Sequence, residues 1–206
     1  MKKLFLLTIA TAIGTFGYAQ KIYTSPDFKQ LSNQHKTLAI LPAEVKLSYK
    51  IPPRYTDYEA NRDKEIELSY KVQSAIYSAL LSRKTKNKIT YQDLDKTNLL
   101  LKKAGMLDSL GNFTKEEIAK VLSVDAIISE KYEVEHFNTR QEPTPATAAA
   151  SITGSAALTM FLNDSRSGNL LWRFNTNDLN YYSVYSSMNM IDQVTKKPVK
   201  NFPYSK

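Results

Sequence analysis

The sequence predicts an α/β sandwich: a single domain whose mixed sheet is parallel in its first part, antiparallel in hairpins at its end, and covered by helices. Three observations predict it. Short apolar runs of strand length alternate with helical patterns through the first part of the chain, the order that joins parallel strands by crossovers. The later part presents strand-like runs separated by turn residues, as in antiparallel hairpins. One long and several short amphipathic segments supply the helices that cover such a sheet.

The elements follow in chain order. Residues 1–19 read as a secretory signal peptide, with Lys2 and Lys3, an apolar run from Leu4 to about Phe16, and the small residues Gly17 and Ala19 before Gln20. That run falls short of the ~18 apolar residues of a membrane helix. Residues 20–35 are polar and weakly patterned, an extended N-terminal arm, and residues 36–206 form the domain. Lys36 to Pro42 is a short buried strand stopped by its proline. Residues 43–60 read as a loop, because the adjacent Pro52 and Pro53 forbid helix, and the loop carries Tyr49, Tyr55 and Tyr58.

A long helix is expected from about Asn61 to Arg83, with Ile66, Tyr70, Gln73, Ile76 or Tyr77, and Leu80 as its core-facing stripe, broken by Gln73. Lys88 to Tyr91 is a second strand. Asp93 or Asp95 caps a short helix through Leu99 to Leu101, which Gly105 ends in a left-handed turn. Thr114 and Glu117 form a capping box for a helix through Ile118 to Leu122, followed by a strand from Ala126 toward His136. Residues 138–150, with Pro143 and Pro145, read as a loop. Ser151 to Leu162 is a strand, 163–169 a turn, and Leu170 to Phe174 the partner strand. A last helix is expected from Tyr181 to about Lys196, ended by Pro198 and Pro203.

Composition narrows the function classes. The chain has no cysteine, which excludes disulfides, zinc-thiolate sites, thiol nucleophiles and a lipid-attachment cysteine. An exported chain without disulfides fits a bacterial periplasm, so the expected location is periplasmic or secreted, without a lipid anchor. The formal charge of +8 is dispersed, with no basic stripe interleaved with aromatics, so nucleic acid is not an expected partner. Such a surface suits peripheral contact with anionic outer-membrane headgroups or cell-wall polymers.

No catalytic constellation is visible. His35 and His136 lie far apart without the spaced partners of a metal site, so neither metal nor cofactor is expected. No serine stands in a nucleophile elbow, and the six glycines build no phosphate loop. Asp164 to Gly168 lacks the remaining acidic ligands of a calcium loop and reads as a hairpin turn. Glu116 and Glu117 suit a helix N-terminus, and Glu133 and Glu135 the solvent side of a strand. The residues read as those of a non-enzyme.

Several segments together resemble a known superfamily. They are the "TLAILP" strand, the long helix, the strand and helix around Ile89 to Gly105, the run Ile118 to Ile128, and the closing hairpin Leu158 to Arg173 with its Asp164, Gly168 and Trp172. They are similar to the curli-secretion-pore superfamily. Its relatives include the lipoprotein activators of penicillin-binding proteins and the amino-terminal domain of the Tol-system β-propeller protein. The resemblance implies a periplasm-facing α/β domain that acts by binding other proteins. Two departures stand out: Ser123 and Val124 replace the usual Gly-Ala before Asp125, and Glu130 stands where glycine is usual.

The expected role is thus a non-enzymatic periplasmic adaptor or assembly factor that binds another envelope protein. Tyr49, Tyr55, Tyr58, Tyr181, Tyr182 and Tyr185 are its candidate contacts, since tyrosine supplies large contact area at low entropic cost. The alternative is an oligomeric outer-membrane secretion or channel subunit. A cell-wall hydrolase would require the fold to bring carboxylates or His136 together in a deep polar cleft.

Overall fold

A computed structural model of the chain describes residues 22–50, 58–83, 89–136, 152–176, 179–182 and 187–204. The first half comprises β1 (Ile22–Thr24), α1 (Phe28–Ser32), β2 (Thr37–Ile40), β3 (Glu44–Tyr49), α2 (Tyr58–Leu81), β4 (Thr90–Tyr91) and α3 (Leu94–Lys103). A 3-10 helix over Leu107–Asn112 and α4 (Lys115–Leu122) precede the four remaining strands: β5 (Ala126–His136), β6 (Ile152–Asp164), β7 (Leu170–Asn175) and β8 (Leu179–Tyr182). The helix α5 (Ser187–Lys200) closes the chain.

The strands form one mixed sheet in the order β1-β7-β6-β5-β2-β4. β2 runs parallel to β4 and β5, and β3 parallel to β5. The remaining pairs, including β5 with β6, are antiparallel, so the parallel-then-antiparallel expectation holds. The long β5–β6 hairpin is the spine. β2 and β3 lie end to end along one side of β5, and β7 and β8 along the far side of β6.

Strand alternation sorts the core into two layers. On one face Leu38, Ile40, Ile128, Tyr132, Met160 and Trp172 pack with Leu68, Val72, Ile76 and Leu80 of α2 and Ile191 and Val194 of α5. On the other, Ala39, Leu41 and Ile127 meet Leu101 of α3 and Ile118 and Leu122 of α4. Local signals act as expected at α3 and α4. Asp93 caps α3 by accepting from the Lys96 amide, Gly105 takes φ +69, and Thr114 and Glu117 complete their capping box.

Four expectations are corrected. Residues 44–49 are not loop but β3: Val45, Leu47 and Tyr49 alternate with polar residues, and β5 pairs with the whole run. The segment expected as an extended arm contains β1, paired with β7, and α1. The later half of the α2 stripe is as expected, with Gln73, Ile76 and Leu80 buried, but its first half runs through Leu68 and Val72 and leaves Ile66 and Tyr70 exposed, because the sheet meets that part of the helix on a face turned away from the predicted one. Tyr181 and Tyr182 belong to β8 rather than to the last helix, which is described over Ser187–Lys200 and carries Pro198 inside it.

Candidate functional site

The site begins at a break in the sheet. Ile40 of β2 stands opposite Ile128 and Glu44 of β3 opposite Lys131, so residues 41–43 bend past the middle of β5. Pro42 has no N–H to give the ladder. The Leu41 amide still donates to the Ile128 carbonyl at 2.9 Å, but the Ala43 amide turns to the Ser69 carbonyl of α2 at 3.4 Å.

Glu130 lies at that break. It shares the phase of Ala126, Ile128, Tyr132 and Val134, the buried phase of β5, and pairs in register with Met160. It is 2% exposed, and neither carboxyl oxygen has a hydrogen-bond partner among the described residues. A carboxyl so placed is costly to ionise. Burial pushes its pKa up to about 8, with the Lys115 charge opposing only in part.

Lys115 is the first residue of α4 and is half-buried. Burial lowers its pKa against the opposing pull of Glu130 and Glu44. Lys131 is paired with Glu44 at 3.1 Å, whereas Lys115 makes no ion pair among the described residues. Acid and base therefore feel each other's charge across one hollow without a hydrogen bond between them.

That hollow is a cleft of about 510 Å³ walled by Leu41, Pro42, Phe161, Leu170 and the 3-10 helix. The left-handed Gly105 turns the chain from α3 into that helix. A second hollow of about 240 Å³ shares Pro42, Ala43, Ser69, Leu107 and Asp108 with the first and reaches Ile66 and Tyr70 on α2. The two make one groove, with exposed apolar side chains at one end and Glu130 with Lys115 at the other. Ile66 is 47% and Tyr70 38% exposed.

Gln73, the residue that broke the predicted stripe, braces the groove from inside. Its amide nitrogen donates to the Ile40 carbonyl at 2.8 Å, and it exchanges hydrogen bonds with Asn98 of α3. Helices on the two sides of the sheet are thereby tied next to the break.

A second buried constellation lies elsewhere. His35 Nε2–H donates to Asp164 Oδ1 at 3.0 Å, which leaves Nδ1 to accept the Tyr204 hydroxyl at 2.5 Å. Asp164 Oδ2 accepts from the Arg166 and Ser167 amides and the Ser167 hydroxyl. Burial alone would raise Asp164, but the bonds from His35 and Ser167 outweigh it and hold the carboxyl below its ordinary range. This chain links α1's exit, the β6–β7 turn and the C-terminal segment without opening into the groove.

Of the predicted contact tyrosines, Tyr49, Tyr181 and Tyr182 fall at the opposite end of β3 from the groove. Tyr49 is partly buried, donates its hydroxyl to Asn61 at 2.9 Å, and stacks on His136 at 5.2 Å. Register places Tyr49, His136, Gly154 and Tyr181 in one row across β3, β5, β6 and β8, with Tyr182 beyond. Tyr58 begins α2, while Tyr55 and Tyr185 lie outside the described residues. Sequence reading missed Glu130 and Lys115 as a pair. The available signal was a glutamate in the apolar phase of an alternating strand, five positions ahead of the exposed Glu135.

No protein-family pattern matches the chain, and no curated protein matches its sequence. Among solved structures it is similar to lipoprotein GNA1162 from Neisseria meningitidis, at 12% identity over 80% of this chain and 94% of that one, TM-score 0.45. It is also similar to the PelC dodecamer protein from Paraburkholderia phytofirmans, at 11% identity over 84% and 89%, TM-score 0.41. A third is the C-terminal domain of LpoB from Salmonella enterica, at 12% identity over 75% and 95%, TM-score 0.36. Likeness at this level carries nothing about ligand or partner.

Proposed function

We propose that this is an exported envelope protein that binds another envelope protein and acts as an adaptor or assembly factor rather than as an enzyme. The observation that carries the reading is the groove. It joins exposed Ile66 and Tyr70 to an inner cleft across the bend at Pro42, the mixture of apolar anchors and convergent polar groups found in recognition sites. The motif resemblance, the signal-like N-terminus and the chain's lack of cysteine support the location. The tyrosine row at the other end of β3 is a second proposed contact area, including Tyr55 and Tyr185 near it in sequence.

The reading is tested by placing a photo-crosslinking residue at position 66 or 70 in the full chain, expressed in a bacterial host. The control position is Lys120, exposed on α4. Adducts to a distinct envelope protein at 66 and 70 but not at 120 are expected. Equal adducts at 120, or none in the groove, overturn it, and adducts between two copies of the chain shift it to the oligomeric subunit. Osmotic shock without detergent is expected to release the mature protein.

A further inference from the structure

The register sets one end of the sheet: Thr37 stands opposite Thr90, Leu38 opposite Ala126, and Ala126 opposite Asp164. Three helices on the α2 side of the sheet meet at that end. α1 lies just before β2 and packs Phe28 and Leu31 on the α2-side core. α5 arrives because Tyr204, four residues past it, bonds His35. α2 ends there, ahead of β4, whose Thr90 amide donates to the Lys36 carbonyl at 2.8 Å. The side chains gathered are cationic: Lys29 of α1, Lys36, and Lys196, Lys197 and Lys200 of α5 are exposed, and Arg83 after α2 is half-buried. Carboxylates are fewer. Asp27 is exposed beside α1, and Asp192 stands a turn before Lys196. Asp125 is taken up by the Lys36 and Thr37 amides, and Asp164 by His35 and its own turn. At the other end of the sheet charges are matched, Lys46 lying opposite Glu133 and Arg62 preceding Asp63. Among the cations stands Leu81, in the last turn of α2 and 55% exposed.

We infer that this end of the molecule docks on an anionic lipid bilayer, with the lysines on the headgroup phosphates and Leu81 entering the interface. Cations near a helix C-terminus are common, because they oppose the negative end of its dipole. That accounts for Lys197 and Lys200 but not for Lys36, which is in no helix, nor for an exposed leucine in the last turn of α2, where no residue is basic. Clustered cations with an apolar side chain among them are what an anionic membrane surface receives. The cations come from separate elements brought to one level by the sheet, which spreads them over a face, and a bilayer offers a matching plane. Each lysine or arginine brought to an anionic leaflet tightens binding about fivefold. Ile66 lies up to about 22 Å from Leu81 along α2, so docking here leaves the groove clear of the lipid. The contact is reversible, so dilution on osmotic shock still releases the protein. This inference goes beyond the partner-binding reading and does not depend on it.

Cosedimentation of the full mature chain with vesicles tests it. The probes are phosphatidylcholine vesicles, the same lipid with about a third phosphatidylglycerol, and soluble polyphosphate. Binding to the anionic vesicles is expected and none to the neutral ones, with most of it lost as salt rises from about 0.1 M to about 0.5 M. Lys197→Gln with Lys200→Gln should weaken it about 25-fold. Lys46→Gln with Lys103→Gln, the same loss of charge on β3 and α3, should weaken it less than about threefold. Leu81→Ala should weaken it about tenfold while leaving the salt dependence unchanged. All these substitutions are at exposed positions, and thermal melting checks that each variant is folded. Equal binding to neutral vesicles, no binding to anionic ones, or equal losses in the two lysine pairs overturns the inference. So does Leu81→Ala without effect when polyphosphate binds as tightly as the vesicles, which reassigns the patch to a soluble polyanion. Crosslinks at positions 66 and 70 should be unchanged in the Lys197 and Lys200 variant, so bilayer docking and partner binding fail separately.

Discussion

Replacing Tyr204 by Phe deletes a single hydroxyl, yet that hydroxyl is the donor that satisfies His35 Nδ1 inside a buried network. Leaving one buried acceptor unpaired costs about 1–3 kcal/mol. Tyr204→Phe should therefore lower the urea-unfolding free energy by that amount. Tyr23→Phe, at a side chain 37% exposed, should change it by less than about 0.5 kcal/mol. An equal effect of the two would mean the network contributes nothing. A different kind of constraint acts at Gly168. Its φ is +66, and a Cβ there would run into the Glu116 carboxylate. Gly168→Ala meets both a backbone penalty of about 1 kcal/mol and a displaced carboxylate. Adding Glu116→Ala should recover the steric part and leave the backbone part, a split that equilibrium unfolding of the single and double variants would read.

At the scale of elements, the phase of α2 decides which side chains matter. Ile76 is fully buried against the sheet and Ile66 is 47% exposed. Ile76→Ala should cost about 2–5 kcal/mol through lost transfer energy and a cavity. Ile66→Ala should cost less than about 0.5 kcal/mol while weakening partner capture. The helix and the inward side of its later half, Gln73, Ile76 and Leu80, were legible in the sequence, but the phase of its first half was not. Ile66-Tyr70 and Leu68-Val72 both recur at helical spacing, and only the sheet's position selects between them. Caps were legible because their chemistry is local: Thr114, Asp93 and Gly105 each act within a few residues. β3 was hidden by the prolines at 52 and 53, although Val45, Leu47 and Tyr49 already alternated. The site was hidden for the opposite reason. Glu130 and Lys115 are brought to one cleft by the β5 register and the turn into α4, and nothing within one turn of either residue announces the other. The link between His35, Asp164 and Tyr204 spans most of the chain and is equally a product of topology.

For the molecule as a whole, these buried groups set how stability varies with pH. Glu130 has its folded pKa raised from 4.5 to about 8, so the native state retains a proton that the unfolded chain releases. Its contribution is fully present below about pH 4.5 and is lost as pH rises toward 8. Asp164 is held below its ordinary value of 3.8, so its contribution is present above that pH and lost in stronger acid. His136, lowered from 6.5 by burial, favours the native state as pH rises through its titration and so opposes Glu130 below pH 6.5. Glu130, 2% exposed and with its pKa raised to about 8, draws stability down across the window from 4.5 to 8. The urea midpoint of the parent chain should therefore peak on the acid side of neutrality and decline toward pH 8. In Glu130→Gln the acid is gone while the shape remains. That variant should lose the alkaline decline, show the rise due to His136, and exceed the parent at pH 8 by about 1–4 kcal/mol. Midpoints measured from pH 4.5 to 8.5 on both chains decide it: parallel profiles would mean that Glu130 titrates alike in the folded and unfolded states, and that its carboxyl is not held neutral in the cleft.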